Sequence, residues 1–297
     1  LKPQSKAYFF ALLAVGLWST VATAFKLALA NLSFVELLSI STFVATLVSL
    51  IILISEGKFK QLYHLSRNQW LNSMASGVLN PWLYYLILFK AYDLLPAQEA
   101  MVLNYTWPIM LVLLAAPLLK QRLKASSLIT ILLSFLGVVV IALKGNFTAF
   151  HFSNPLGTLL ALGSSIVWAL FWIANLRSTV DNSLKLLISF GTGFVLSLPV
   201  LLISETTFNF SLMSISAAIY VGIAEMGLTF YLWLKALQLS QRTDQIGQLI
   251  FLSPLLSLGF IWIFLHEPIH PSTLIGLVMI LLATYINQRI SKKQDPS

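Results

Sequence analysis

Residues 108–137, PIMLVLLAAPLLKQRLKASSLITILLSFLG, read against residues 254–283, PLLSLGFIWIFLHEPIHPSTLIGLVMILLA, decide the architecture. At a displacement of 146 residues Pro108 falls on Pro254, Leu119 on Leu265, Ser126 on Ser272, Leu128 on Leu274 and Ile129 on Ile275. A displacement of 145 brings Gly77 onto Gly222, Leu83 onto Leu228, Lys90 onto Lys235, Ala91 onto Ala236 and Leu94 onto Leu239, and one of 150 brings Trp18 onto Trp168 and Ala24 onto Ala174. Leucines coincide by chance in apolar sequence, whereas paired prolines inside apolar segments and paired lysines at their ends are costly coincidences. The chain therefore reads as a duplication.

Working outward from this repeat, 58% of the 297 residues are hydrophobic and 9% are charged, against roughly 45–50% and 25% in soluble domains. A soluble core has too little interior for so much apolar surface, so lipid must solvate most of it. Ten segments carry the roughly 20 apolar residues that a spanning helix needs. They are 7–29, 34–54, 70–92, 97–118 and 125–143, then 156–177, 184–204, 213–239, 245–265 and 271–290. The expected fold class is an all-α membrane protein of ten transmembrane helices in two five-helix repeats, residues 1–144 and 145–297. Lys2, Lys6 and the triplet Ala22, Thr23, Ala24 also suit a cleavable signal peptide. The apolar run continues to about Leu29 and has a counterpart in the second repeat, which favours a retained span.

The net charge of +8 lies in short clusters between apolar runs, the pattern of cytoplasmic loops rather than of a nucleic-acid surface. A cytoplasmic N-terminus collects Lys2, Lys6, Lys58, Lys60, Arg67, Lys120, Arg122, Lys124, Arg177, Lys185, Lys235, Arg242, Arg289, Lys292 and Lys293 on that side, leaving Lys26, Lys90 and Lys144 opposite. Both termini are then cytoplasmic. Five spans is an odd number, so the second copy enters the membrane upside down. In such inverted repeats transporters hold their sites near the midplane, between the copies.

Absent chemistry narrows the class further. The chain contains no cysteine, which removes disulfides, thiol catalysis and cysteine metal ligation. His64, His151, His266 and His270 fall in loops or at span ends without a convergent carboxylate pair, so no metal site is expected. No phosphate-cradling glycine loop and no Ser-His-Asp order is present. The expectation is a protein that is not an enzyme and needs no cofactor.

Trp in the first helix of each half, Pro in the fourth, and a short polar turn before a Gly-containing fifth helix together resemble the EamA-type drug/metabolite transporter superfamily. The segment Asn104-Tyr105-Thr106-Trp107-Pro108 is similar to the Asn-Tyr-x-Trp-Pro segment of the YddG-like amino acid exporters within it. The resemblance covers essentially the whole chain. It implies a ten-helix basket in a bacterial inner membrane that moves amino acids or other metabolites by alternating access. The stretch Ile223-Ala224-Glu225-Met226-Gly227 departs from the aromatic-exporter pattern and leaves the substrate open.

Glu225 is the most informative residue, because an acid at the centre of a span costs about 2.5–3.5 kcal/mol and usually faces a cavity. It suits binding of a substrate amino group or proton exchange; a protonated carboxyl bonded to a neighbouring helix is the structural alternative. Its repeat mate is Asn80, with Tyr84 one helical turn further on the same face. Trp18, Trp168 and Trp172 can stack on an aromatic substrate or close over a cation, or simply fill space. Asn104, Tyr105 and Trp107 precede Pro108, and Gln248 precedes Pro254, so polar groups accompany both helix interruptions. These ten residues form the expected substrate site: Trp18, Asn80, Tyr84, Asn104, Tyr105, Trp107, Trp168, Trp172, Glu225 and Gln248. The expected partners are a small-molecule substrate, the lipid bilayer and protons, with a monomer as the simplest assembly. Rival readings are an organic cation transporter using Glu225 within an aromatic cage and, from another class, a passive channel or an intramembrane enzyme.

Overall fold

A computed structural model of the chain describes residues 3–118, 125–142, 154–175, 178–204, 211–241, 246–247 and 249–292. Among them every regular element is helical. The first half contains α1 (Pro3–Leu29), α2 (Phe34–Ser55), α3 (Arg67–Gly77), α4 (Tyr84–Leu94), α5 (Ala97–Asn104), α6 (Trp107–Leu118) and α7 (Ala125–Ala142). The second contains α8 (Pro155–Asn175), α9 (Asn182–Ile203), α10 (Leu212–Tyr220), α11 (Phe230–Leu239), α12 (Leu252–Phe260) and α13 (Pro271–Lys292). Five continuous segments are long and apolar enough to cross a membrane: Pro3–Leu29, Phe34–Ser55, Pro155–Asn175, Asn182–Ile203 and Leu212–Leu239. Leu132–Ile141, Leu252–Leu265 and Pro271–Ala283 are shorter apolar helices.

Local sequence accounts for the starts and the breaks. Ser33 opens α2 with a capping box, accepting from the Glu36 amide at 3.2 Å while Glu36 Oε2 accepts from the Ser33 amide at 2.7 Å; this satisfies two orphan donors. The expected span 70–92 is interrupted by the wide turn Val78–Leu83, where Asn80 is extended at φ −144°, ψ 118°. The ring of Pro81 bars the helical region to the residue before it and removes a donor. Span 97–118 breaks at Tyr105 and Thr106 rather than at Pro108. The Thr106 carbonyl accepts from Ile109 and Met110 at 2.9 and 3.2 Å, and Pro108 lies in the first turn of α6, where its missing N–H is no loss.

Packing is set by small residues. α7 lies along α13, α2 along α9, α4 along α8 and α1 along α11. A methyl group added at Gly137 would stand 2.8 Å from the Gly276 carbonyl, so those two backbones touch. The same holds for Gly222 and Gly227 against α2, where a methyl would meet Ser41 O and Val48 Cγ1 at 2.7 Å. Ile51, Ile129, Leu202 and Leu212 are among the large apolar side chains left on the outside, as lipid solvation requires.

Candidate functional site

The breaks and close approaches leave a cavity of about 210 Å³ inside the bundle. Eight of the ten predicted residues line it: Trp18, Tyr84, Asn104, Tyr105, Trp107, Trp168, Trp172 and Glu225. Gln248 lies outside the described residues. Asn80 belongs elsewhere and is a correction. Its expected face was that of Tyr84, one helical turn away, but the extended backbone before Pro81 breaks that register. Asn80 instead lines a smaller pocket with Trp172, Asn175, Asn182, Lys185 and Ser189.

The cavity walls are aromatic. Trp168 packs on Tyr84 at 4.6 Å, on Phe230 at 5.6 Å and on Trp172 at 6.0 Å between ring centroids, and Trp18 packs on Trp233 at 5.2 Å. Asn104, at the end of α5, accepts from the Tyr84 hydroxyl at 3.2 Å and donates to Ser164 Oγ at 2.9 Å. Its amide thereby braces α4, α5 and α8 while lining the cavity. Thr106 meets Ser165 Oγ at 3.0 Å, which fixes the broken backbone to α8.

Glu225 sits on the wide helical turn Val221–Thr229 and is 6% exposed. The Tyr85 hydroxyl donates to its Oε1 at 2.7 Å. Trp18 stands against the same carboxyl group, yet Oε2 has no hydrogen-bond partner among the described residues. Desolvating a carboxyl and leaving one oxygen unpaired costs free energy that a helix-to-helix bond alone does not justify. The arrangement can hold a cationic group or a proton inside an aromatic box.

At one end of the bundle an ionic cluster adjoins the smaller pocket. Lys58 bridges Glu56 Oε2 and Asp181 Oδ2, both at 2.9 Å. Ser183 Oγ donates to Glu56 Oε2 at 2.7 Å and the Tyr231 hydroxyl to Oε1 at 2.9 Å. Burial alone would push the Glu56 carboxyl up, but the bonds from Ser183, Lys58 and Tyr231 outweigh it and lower it from 4.5 to about 2. Asn182 and Leu234 line both this cluster and the Lys185 pocket, so three spaces follow one another with shared walls. At the opposite end Lys26 Nζ donates to the Tyr92 and Leu95 carbonyls at 2.9 and 3.1 Å, and Glu267 Oε1 accepts from the Ala97 amide at 3.1 Å.

Sequence reasoning missed Tyr85, Trp233 and Lys185. A buried acid implies a donor, and the span opposite offers two tyrosines; only the geometry selects Tyr85 for the bond. Lys185 reads as one more basic loop marker, whereas it is 6% exposed in the first turn of α9.

Comparison with known proteins follows the same lines. The EamA-like transporter family matches residues 5–143 and again 155–288. The chain is 26% identical to the uncharacterized transporter YvbV of Bacillus subtilis over 232 residues, covering 77% of this chain and 75% of that one. It is 28% identical to the aromatic amino acid exporter YddG of Ancylobacter novellus over 158 residues, 50% of this chain and 53% of the exporter. A solved protein structure shares the fold with a TM-score of 0.67 at 20% identity, over 98% of this chain and 99% of that one. With two family matches that together take in nearly all of its length, the chain belongs to the EamA-like transporter family.

Proposed function

We propose that this membrane transporter exports amino acids by alternating access, with the Glu225 cavity as its substrate site. The observation that carries the reading is the Glu225 carboxyl in an aromatic cavity, with Tyr85 bonded to Oε1, Trp18 against the carboxyl, and Oε2 without a hydrogen-bond partner among the described residues. A substrate ammonium supplies the missing partner. At about 210 Å³ the cavity falls below the roughly 300–1,000 Å³ of drug-sized pockets, which suits a metabolite. The likeness to a protein named as an aromatic amino acid exporter points the same way.

The proposed topology is ten spans in two inverted repeats, residues 1–144 and 145–297, monomeric in a bacterial inner membrane with both termini cytoplasmic. Its support is the paired irregularity: wide turns at Val78–Leu83 and Val221–Thr229, and interruptions at Tyr105 and at Leu249–Phe251. Counterflow in vesicles carrying the purified protein tests the function. Saturable movement of at least one amino acid, lost in Glu225→Gln, is expected. Intact protein that moves none of the twenty ends the amino acid reading. The aromatic box also favours a second reading, an organic cation held by Glu225 and the tryptophans; quaternary ammonium compounds would then outcompete zwitterions.

A further inference from the structure

The Lys185 pocket has no part in the function proposed above, yet it is the more unusual site. Lys185 is 6% exposed, and its Nζ donates to the side-chain oxygen of Asn175, a neutral amide. The ion pairs among the described residues join Lys58, Lys90 and Lys235 to carboxylates and leave Lys185 out. An unpaired ammonium in a span is expensive, and a neutral side chain would serve a bond to Asn175 as well. Two further polar atoms here are buried and unmatched among the described residues: Asn80 Oδ1 lacks a donor and Trp172 Nε1 lacks an acceptor. All three residues line one pocket.

The signs of the two spaces are complementary. Among the described residues the central cavity holds an acid without a cation and the adjoining pocket a cation without an acid; Trp172 lines both. The pocket is about 20 Å³, enough for roughly one water-sized group. In this conformation it admits a terminal group and not a whole metabolite.

Resting on the amino acid reading of the central cavity, we propose that the Lys185 pocket is a second binding station, one step toward the Glu56 end, that takes the carboxylate of the substrate. Lys185 Nζ and the Trp172 indole N–H donate to the carboxylate oxygens, and Asn80 Oδ1 accepts from the neighbouring ammonium. A cargo that is only a cation has no use for this station, which makes the pocket a specificity element for amino acids over amines.

The test uses the full-length protein in detergent and three probes of one shape: L-phenylalanine, phenethylamine, which lacks the carboxylate, and 3-phenylpropionate, which lacks the ammonium. Binding is measured by titration calorimetry for the wild type, Lys185→Met, Lys185→Gln, Lys185→Arg and Glu225→Gln. The neutral Lys185 variants are expected to weaken L-phenylalanine and 3-phenylpropionate at least tenfold and to leave phenethylamine within twofold, with Lys185→Arg retaining most binding. Glu225→Gln should weaken the two probes that carry an ammonium, phenethylamine and L-phenylalanine, and spare 3-phenylpropionate. Because Lys185→Met removes an unpaired buried charge, its melting temperature should equal or exceed that of the wild type; a structural lysine predicts the reverse. Neutral variants that bind L-phenylalanine as the wild type does, or lose phenethylamine equally, overturn the station and leave the amino acid reading standing. A wild type that binds phenethylamine alone, or that binds none of the three and moves none of the twenty amino acids in counterflow, overturns both.

Discussion

Glu56 offers the sharpest perturbation, since one substitution there loosens the end of the bundle without touching the cavity. Its charged form is bonded by Ser183, Lys58 and Tyr231, which lower the carboxyl from 4.5 to about 2. At about 1.4 kcal/mol per pH unit this is worth about 3 kcal/mol at most. The side chains of Glu56 and Lys58 are 16% and 29% exposed, and screening by the adjoining water reduces the usable part to about 1–2 kcal/mol. The sign follows from a folded value below the unfolded one: the stabilisation is complete above pH 4.5 and fades as pH falls toward about 2. At neutral pH Glu56→Gln should therefore favour opening of this end by about 5–30-fold. The chain contains no cysteine, so Ser189→Cys introduces a single thiol in the Lys185 pocket, 3% exposed when closed. Its rate of reaction with a water-soluble maleimide reports opening directly. A rate that stays within twofold of the parent, while Glu56→Gln lowers the melting temperature, would refute the expected opening and show that the cluster only staples the fold.

Two further outcomes are expected. Gly276→Ala forces a methyl group against Ile141 and to 2.6 Å from the Gly137 carbonyl, so unfolding in detergent should come about 1–3 kcal/mol earlier; Gly16→Ala, with nothing within 4 Å, is the control and should not destabilise. Tyr85→Phe removes the bond to Glu225 Oε1 and leaves a buried oxygen unpaired at a cost of about 1–3 kcal/mol, so it should lower the melting temperature and reduce counterflow at least tenfold. Unaltered transport in that variant counts against Glu225 as a charged group in the cycle.

What the sequence discloses and what it hides divide along physical lines. Hydrophobic length and the paired prolines locate most helices, because those patterns are local. The central cavity is largely legible too, since an acid, amides and tryptophans inside spans have few other uses. Register fails where the backbone leaves the helix: Asn80 was aligned with Tyr84 by helical spacing, and its extended conformation before Pro81 sends it to another space. Lys185 is invisible for a different reason. A lysine a few residues into an apolar run can snorkel to water, and only packing against Asn175 shows that this one is interior.

The glycines of the second half bear on motion. Gly222 and Gly227 leave no room for a methyl between the turn carrying Glu225 and α2, and Gly77 is seated against the Ser189 backbone in the same way. The turn and α9 lie in the family match over residues 155–288, and α2 and α3 in the match over residues 5–143. These close approaches therefore tie one matched segment to the other, so neither shifts without displacing its neighbour. A swing of α2 that freed Glu56 would drag the turn of Glu225 with it, coupling the ionic end of the bundle to the buried acid.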